Sequence, residues 1–261
     1  DAVATTIDGH ALEMKATFLS MESRKLGPTQ SVLHSLAVSG GSQEEMDRVA
    51  HDVGIITRKA IEDLQLQHID FIALHGQTIF HAPPKSIQLI DATEVADAFG
   101  CTVLTDPRQQ DLQLGGQGAP ITPLADWIMF RSDEESTAIV NLGGFCNITI
   151  LPAHSTPSEV MGFDVCCCNL LLNTIARSLL DAEFDNGGKH ALQGTPDDTT
   201  TNRILDVLVA QRESKRSLGT DDDLRSLAAE LCTEVALEHV FASATTAIGH
   251  CITESIQGIE R

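Results

Sequence analysis

Three groups of residues carry side chains that can do chemistry. The first is Asn141-Leu142-Gly143-Gly144-Phe145-Cys146-Asn147. A strand that turns through two glycines lets backbone N–H groups approach a phosphate with no Cβ in the way. An ordinary hairpin with two permissive residues has the same sequence signal. The second is Gly162-Phe163-Asp164. An aspartate that closes an apolar strand and precedes a helix can project into a cleft as a general base, or it can cap the helix. The third begins at His75-Gly76-Gln77-Thr78, whose polar groups can bond sugar hydroxyls or simply form a polar turn. Asp106-Pro107-Arg108 and Asp111 make a further polar cluster. There Arg108 can grip a carboxylate through two parallel hydrogen bonds, or it can make a surface ion pair.

The elements that must position these groups follow from periodicity. Ala2 to Ile7 and Ala11 to Phe18 read as strands, with Asp8-Gly9 as a two-residue turn. Gly27-Pro28 and Gly40-Gly41 punctuate a loop. Ser42-Gln43-Glu44-Glu45 carries a capping-box signature, and Met46, Val49, Val53, Ile56, Ala60 and Leu64 recur behind it at helical spacing. Asp70 to Leu74 is a short apolar strand that delivers His75. A strand near Ser86 to Ile90, a helix near Thr93 to Phe99 and a strand at Thr102 to Thr105 come next. The Gly115 to Pro120 loop is either a flexible element beside a substrate or a connector. A helix from Leu124 to Phe130 precedes the charged stretch at 131–135, which reads as a boundary between domains 1–135 and 136–261. Beyond it come strand, Gly-Gly turn, strand, a strand ending at Asp164, and a helix from Leu170 to Leu180. Leu224, Leu227, Leu231 and Val235 mark one face of a late amphipathic helix with acids in its first turn. Strands mixed with helices indicate an α/β protein. Ligands in such folds sit at the carboxyl ends of strands, where His75, Asp106, Gly143 and Asp164 are all expected.

Charge narrows the partners. A formal net charge of -20 over 261 residues argues against nucleic acid and anionic membrane surfaces. It leaves room for a nucleotide, which arrives with Mg²⁺. No apolar run is long enough to span a bilayer. Seven cysteines in no paired-ligand spacing read as free thiols in a reducing cytoplasm. Cys166, Cys167 and Cys168 are consecutive and cannot readily point at one tetrahedral ion, so no metal site is assigned.

Taken in order, these segments resemble the anhydro-N-acetylmuramic acid kinase family. The resemblance runs through Leu74 to His81, Gln88 to Asp91, Asp106 to Pro120, Asn141 to Thr149, Gly162 to Asp164, Asn169 to Leu172 and Phe184 to Gly188. It implies a two-domain, actin-like (ribonuclease H-like) ATPase fold and a homodimer. It also implies a reaction that uses ATP and Mg²⁺ on 1,6-anhydro-N-acetylmuramic acid. Water opens the anhydro bridge, the 6-oxygen receives the γ-phosphoryl group, and N-acetylmuramic acid 6-phosphate results. By position Asp164 matches the base. Asn141, Gly143, Gly144 and the neighbouring Asn147 match a second phosphate-binding turn. His75, Gln77, Thr78, Asp106 and Arg108 are candidates for the sugar pocket.

The chain departs from the family's pattern in three places. Members open on a Gly-Thr-Ser-rich phosphate loop and later carry a Gly-Gly-Gly adenosine turn. Both are expected to lie outside these 261 residues, so the chain alone is expected not to transfer phosphate. Where members follow the base with Thr-Gly-Pro-Gly-Asn, this chain has Val165-Cys166-Cys167-Cys168-Asn169. If that turn needs positive φ, each non-glycine costs roughly 1 kcal/mol or more. A non-catalytic sugar-binding or dimerisation module is therefore the alternative.

Overall fold

The computed structural model describes residues 1–213, 230–231 and 235–257. It has a mixed α/β character and divides into two compact units, Asp1–Met129 and Phe130–Arg261.

In the first unit β1 (Ala2–Asp8) and β2 (Lys15–Glu22) pair antiparallel, with Asp8 opposite Lys15. The connection is wider than the two-residue turn expected at Asp8-Gly9. It contains a 3-10 turn, Ala11–Glu13, closed by Glu13 N–H donating to His10 O at 3.1 Å. The stretch expected as a loop is helix α1 (Pro28–Ser39), and its punctuation marks helix ends. Pro28 starts it, and the Gly40 N–H closes it on Leu36 O at 3.0 Å. Leu33 and Leu36 of α1 share a core with Val49 and Val53 of α2 (Gln43–Asp63). Ser42 caps α2 by accepting the Glu45 N–H at 3.2 Å, as the capping pattern predicts.

Next come β3 (Phe71–Ala73), the antiparallel hairpin of β4 (Gln77–Ala82) and β5 (Lys85–Leu89), helix α3 (Thr93–Phe99) and β6 (Thr102–Leu104). β3 and β6 pair parallel, Phe71 opposite Thr102, so their carboxyl ends share one edge. Val95 of α3 packs with Ile72, Leu74 and Ala60 beneath that pair. Two helices, α4 (Gln109–Gln113) and α5 (Thr122–Phe130), complete the unit.

The second unit opens with an antiparallel meander of β7 (Thr137–Leu142), β8 (Phe145–Leu151) and β9 (Met161–Cys167), followed by α6 (Asn169–Leu179). Helices α7 (Lys189–Gln193), α8 (Asp198–Glu213) and α9 (Leu237–Gln257) follow. Ile148, Leu171, Ile175, Ile204 and Phe241 meet in the core of this unit. Cys146, Cys166, Cys168 and Cys251 are buried among them as small apolar side chains. The late amphipathic helix expected through Leu224 falls largely outside the described residues. Among the described residues, no helix is long and apolar enough to cross a membrane.

Candidate functional site

Asp164 does not end its strand. β9 runs three residues further, to Cys167, and the residue that caps α6 is Cys168. The reason lies in the register. Cys146 of β8 stands opposite Cys166, whereas the next residue, Asn147, stands opposite Asp164. Val165 is the extra residue of a bulge, and it is fully buried. Strict alternation from the buried Cys166 would turn residue 164 into the core. The bulge restores Asp164 to the face opposite the core, where it is exposed. Asn147 also pairs with Asn141 of β7. Directly opposed residues share a face of a sheet, so Asn141, Asn147 and Asp164 form one polar row across three strands.

Gly143 and Gly144 join β7 to β8 at the end of this row. Neither has positive φ. Their carbonyls accept from the start of α6: Gly143 O from Asn169 N–H at 3.1 Å, and Gly144 O from Cys168 and Leu170 N–H at 2.9 and 3.1 Å. The Asn169 side-chain amide adds a bond to Leu142 O at 3.2 Å. The turn therefore satisfies amides that a helix start leaves open. No residue of 165–169 has positive φ, so the strain expected from replacing glycines by cysteines does not arise.

In the first unit His75 and Arg108 meet beyond the carboxyl ends of β3 and β6. Arg108 Nε–H donates to His75 Nε2 at 3.1 Å, and its terminal nitrogen donates to Gly118 O at 2.6 Å. His75 Nδ1 lies 3.0 Å from Gly76 O. A carbonyl only accepts, so this pair of contacts assigns His75 as the Nδ1–H tautomer. Arg108 is thus held by its own chain. The Gly-rich loop is held too: Asp111 Oδ2 accepts the Gly118 N–H at 2.7 Å, and Asp111 O accepts the Gly116 N–H at 2.8 Å. Asp106 is exposed in a left-handed conformation, φ 60°. Thr78 lies opposite Gln88, whose amide reaches it at 3.5 Å, and Gln77 is exposed beside it. The structure links His75, Arg108, Asp111 and Gly118; Gln77 and Thr78 belong to the β4–β5 hairpin.

A profile of the anhydro-N-acetylmuramic acid kinase family matches residues 13–249. The chain belongs to this family. Relatives named anhydro-N-acetylmuramic acid kinase include one from Salinibacter ruber, 35% identical over 64% of this chain and 45% of the relative. One from Gloeobacter violaceus is 37% identical over 58% of this chain and 41% of the relative. One from Synechococcus elongatus is 31% identical over 78% of this chain and 58% of the relative. The chain thus spans about half the length of these kinase relatives.

Within this kinase-family chain, the second unit holds a cavity of about 360 Å³ that sequence reasoning did not assign. Asn169 and Asn173 of α6, Phe184, Asp185 and Thr245 of α9 line it. Asp185 is fixed by accepting the His190 and Ala191 N–H groups at 3.0 and 3.1 Å, which caps α7. The available signal was Asp185 followed by Gly187-Gly188, both left-handed, just before a helix.

Proposed function

We propose that this protein phosphorylates 1,6-anhydro-N-acetylmuramic acid with ATP, giving N-acetylmuramic acid 6-phosphate as water opens the anhydro bridge. The observation that carries this reading is the polar row Asn141–Asn147–Asp164 beside the Gly143-Gly144 turn, in a chain of this family. Asp164 takes the proton of the water that attacks the anomeric carbon. The bond from that carbon to the 6-oxygen breaks, and the 6-oxygen takes the phosphoryl group. Asn141, Asn147 and the Gly144 N–H are donors that can orient phosphate oxygens. Transfer of this kind depends on positioning and charge neutralisation. Mg²⁺ supplies that neutralisation when bound. The row contains a single carboxylate, a set suited to an ion carried mainly on the nucleotide's phosphates and water.

His75, Gln77, Thr78, Asp106 and Arg108 form the sugar-binding group in this proposal. The restrained Arg108 and the loop bonded to Asp111 support a preformed pocket, since little ordering is left to be done on binding. The actin-like two-domain fold is part of the same reading, supported by the meander β7–β8–β9 leading into α6. Domain limits at 1–135 and 136–261, a cytoplasmic location and a homodimer complete it. The non-catalytic alternative drew on the triple-cysteine run after Asp164 and on the family's two ATP-contacting segments; the absence of positive φ at residues 165–169 weakens the first of these supports.

The test uses protein expressed from its complete reading frame, incubated with the anhydro sugar, ATP and Mg²⁺. The expected result is ATP-dependent N-acetylmuramic acid 6-phosphate, detected by mass spectrometry. Folded protein that binds the sugar but forms no product would refute the kinase reading and restore the binding-module alternative.

A further inference from the structure

The first unit brings a histidine and two carboxylates together outside the residues assigned above. His51 lies within α2, Asp91 follows β5, and Glu94 sits in the first turn of α3. His51 Nδ1 is 3.4 Å from Asp91 Oδ2 and 3.5 Å from Glu94 Oε1. One ligand atom from each of the three lies within 4.8 Å of the others.

Each carboxylate is oriented by a partner on its far oxygen. Asp91 Oδ1 accepts the Thr93 N–H at 3.0 Å and the Thr93 hydroxyl at 2.5 Å, which leaves Oδ2 turned to His51. Glu94 Oε2 accepts from Arg58 at 3.4 Å, which leaves Oε1 turned to His51. The loop itself is pinned to α2, since the Asp91 N–H donates to Ala50 O at 2.8 Å. Gly54 permits this approach: a Cβ there would lie 2.5 Å from the Asp91 carbonyl oxygen. Outer contacts of this type are what orient the ligands of metal centres.

The spacings from His51 favour one class of ion. Zinc bonds to imidazole nitrogen and carboxylate oxygen of roughly 2.0–2.2 Å give tetrahedral edges of about 3.3–3.6 Å. The two edges from His51 Nδ1, 3.4 and 3.5 Å, fall in that range, and the two carboxylate oxygens lie within 4.8 Å of each other. Octahedral Mg²⁺, with bonds of roughly 2.0–2.1 Å, needs adjacent ligands about 2.8–3.0 Å apart and prefers oxygen throughout. We propose that His51, Asp91 and Glu94 form a three-ligand site for a zinc-class divalent cation that ties α2 to the start of α3. His51 is half exposed, so the fourth position opens to water. The competing arrangement is an imidazolium paired with the two carboxylates, with Arg58 sharing Glu94.

Co²⁺ is the probe, titrated into metal-free protein and then displaced by Zn²⁺. The expected result is one equivalent bound, with the visible absorption of four-coordinate cobalt bearing nitrogen and oxygen ligands. His51→Ala and Glu94→Gln each weaken Zn²⁺ affinity roughly tenfold or more, and the metal-free circular dichroism of His51→Ala is unchanged. Zn²⁺ raises the melting temperature of wild type and not of His51→Ala. Absence of binding, or equal affinity in wild type and both variants, would overturn the proposal. A thiolate-to-cobalt charge-transfer band would overturn it as well, by placing the ion on cysteines.

Discussion

Asn147 of β8 stands directly opposite Asp164 of β9, and it does so because Val165 is an extra residue in the ladder. The bulge lets the buried Val165 and Cys166 serve the core while Asp164, adjacent in sequence, faces away from it. A core strand and an exposed carboxylate thus coexist in one five-residue stretch, 163–167.

Deleting Val165 should therefore do more than remove a side chain. The shortened strand either turns Asp164 toward the apolar core or shifts Cys166 out of it. An uncompensated buried carboxylate costs several kcal/mol. Urea unfolding should show a loss of at least about 3 kcal/mol. Replacing the exposed Asp164 by asparagine should stay within about 0.5 kcal/mol of wild type. Equal effects for the two changes would contradict the bulge's role.

Asp164→Asn should separate chemistry from structure. Asparagine keeps the size and the position opposite Asn147 but cannot take a proton. We expect turnover to fall by about 10²–10⁴-fold, the range associated with a positioned base. Sugar binding measured by calorimetry should change little. A variant with near-normal turnover would remove Asp164 from the base role.

The Gly115–Pro120 loop should depend on Asp111 and Gly118. Gly118 has φ 66°, and a Cβ there would sit 2.8 Å from the Leu112 side chain. Gly118→Ala should cost more than about 1 kcal/mol for conformation alone. Asp111→Ala removes the acceptor of the Gly118 N–H. Limited proteolysis should then cut within residues 115–120 faster than in wild type. An unchanged cleavage rate would show that Asp111 does not hold the loop.

Asp197 makes acid sensitivity predictable in sign. The Thr200 N–H, followed by the Thr200 hydroxyl, holds its carboxyl below the ordinary value of 3.8. A lowered folded value means the stabilisation is full above the unfolded value and is lost as pH falls through the folded one. The difference in urea midpoint between wild type and Asp197→Ala should be constant above about pH 5 and close below about pH 4. A gap that widens in acid would reverse the assignment.

Thiol reactivity should follow burial. Burial pushes the Cys146 thiol up to about 11, and Cys166 is raised by its hydrogen bond to Cys251 and by burial. The thiolate is the reactive form. Iodoacetamide at pH 8 should alkylate the half-buried Cys101 well before Cys146 or Cys166, as mapped by peptide mass spectrometry. Early labelling of Cys166 would show that the core opens readily.

Much was legible in the chain itself. Local chemistry determined α2, whose Ser42 cap and recurrent apolar face need no distant partner, and α3, recovered as Thr93–Phe99. The ordered motifs carried the family assignment for the same reason, since they are runs of adjacent residues. Helix α1 was read as a loop instead, because Pro28 and Gly40 mark helix ends as readily as they mark a loop. What the sequence could not decide was where a local signal meets a distant one. Val165-Cys166-Cys167 is compatible with a turn or a buried strand, and only pairing with Cys146 and Asn147 decides between them. Arg108 reads as a carboxylate grip or a surface ion pair until the fold brings His75 and the Gly118 carbonyl to it. His51, Asp91 and Glu94 are separated by up to 43 positions and converge only when α2 packs on the start of α3. Spacing along a chain determines helices, caps and motifs, because those interactions span a few residues. Register, side-chain facing and ligand convergence depend on contacts between remote segments, which only the tertiary structure supplies.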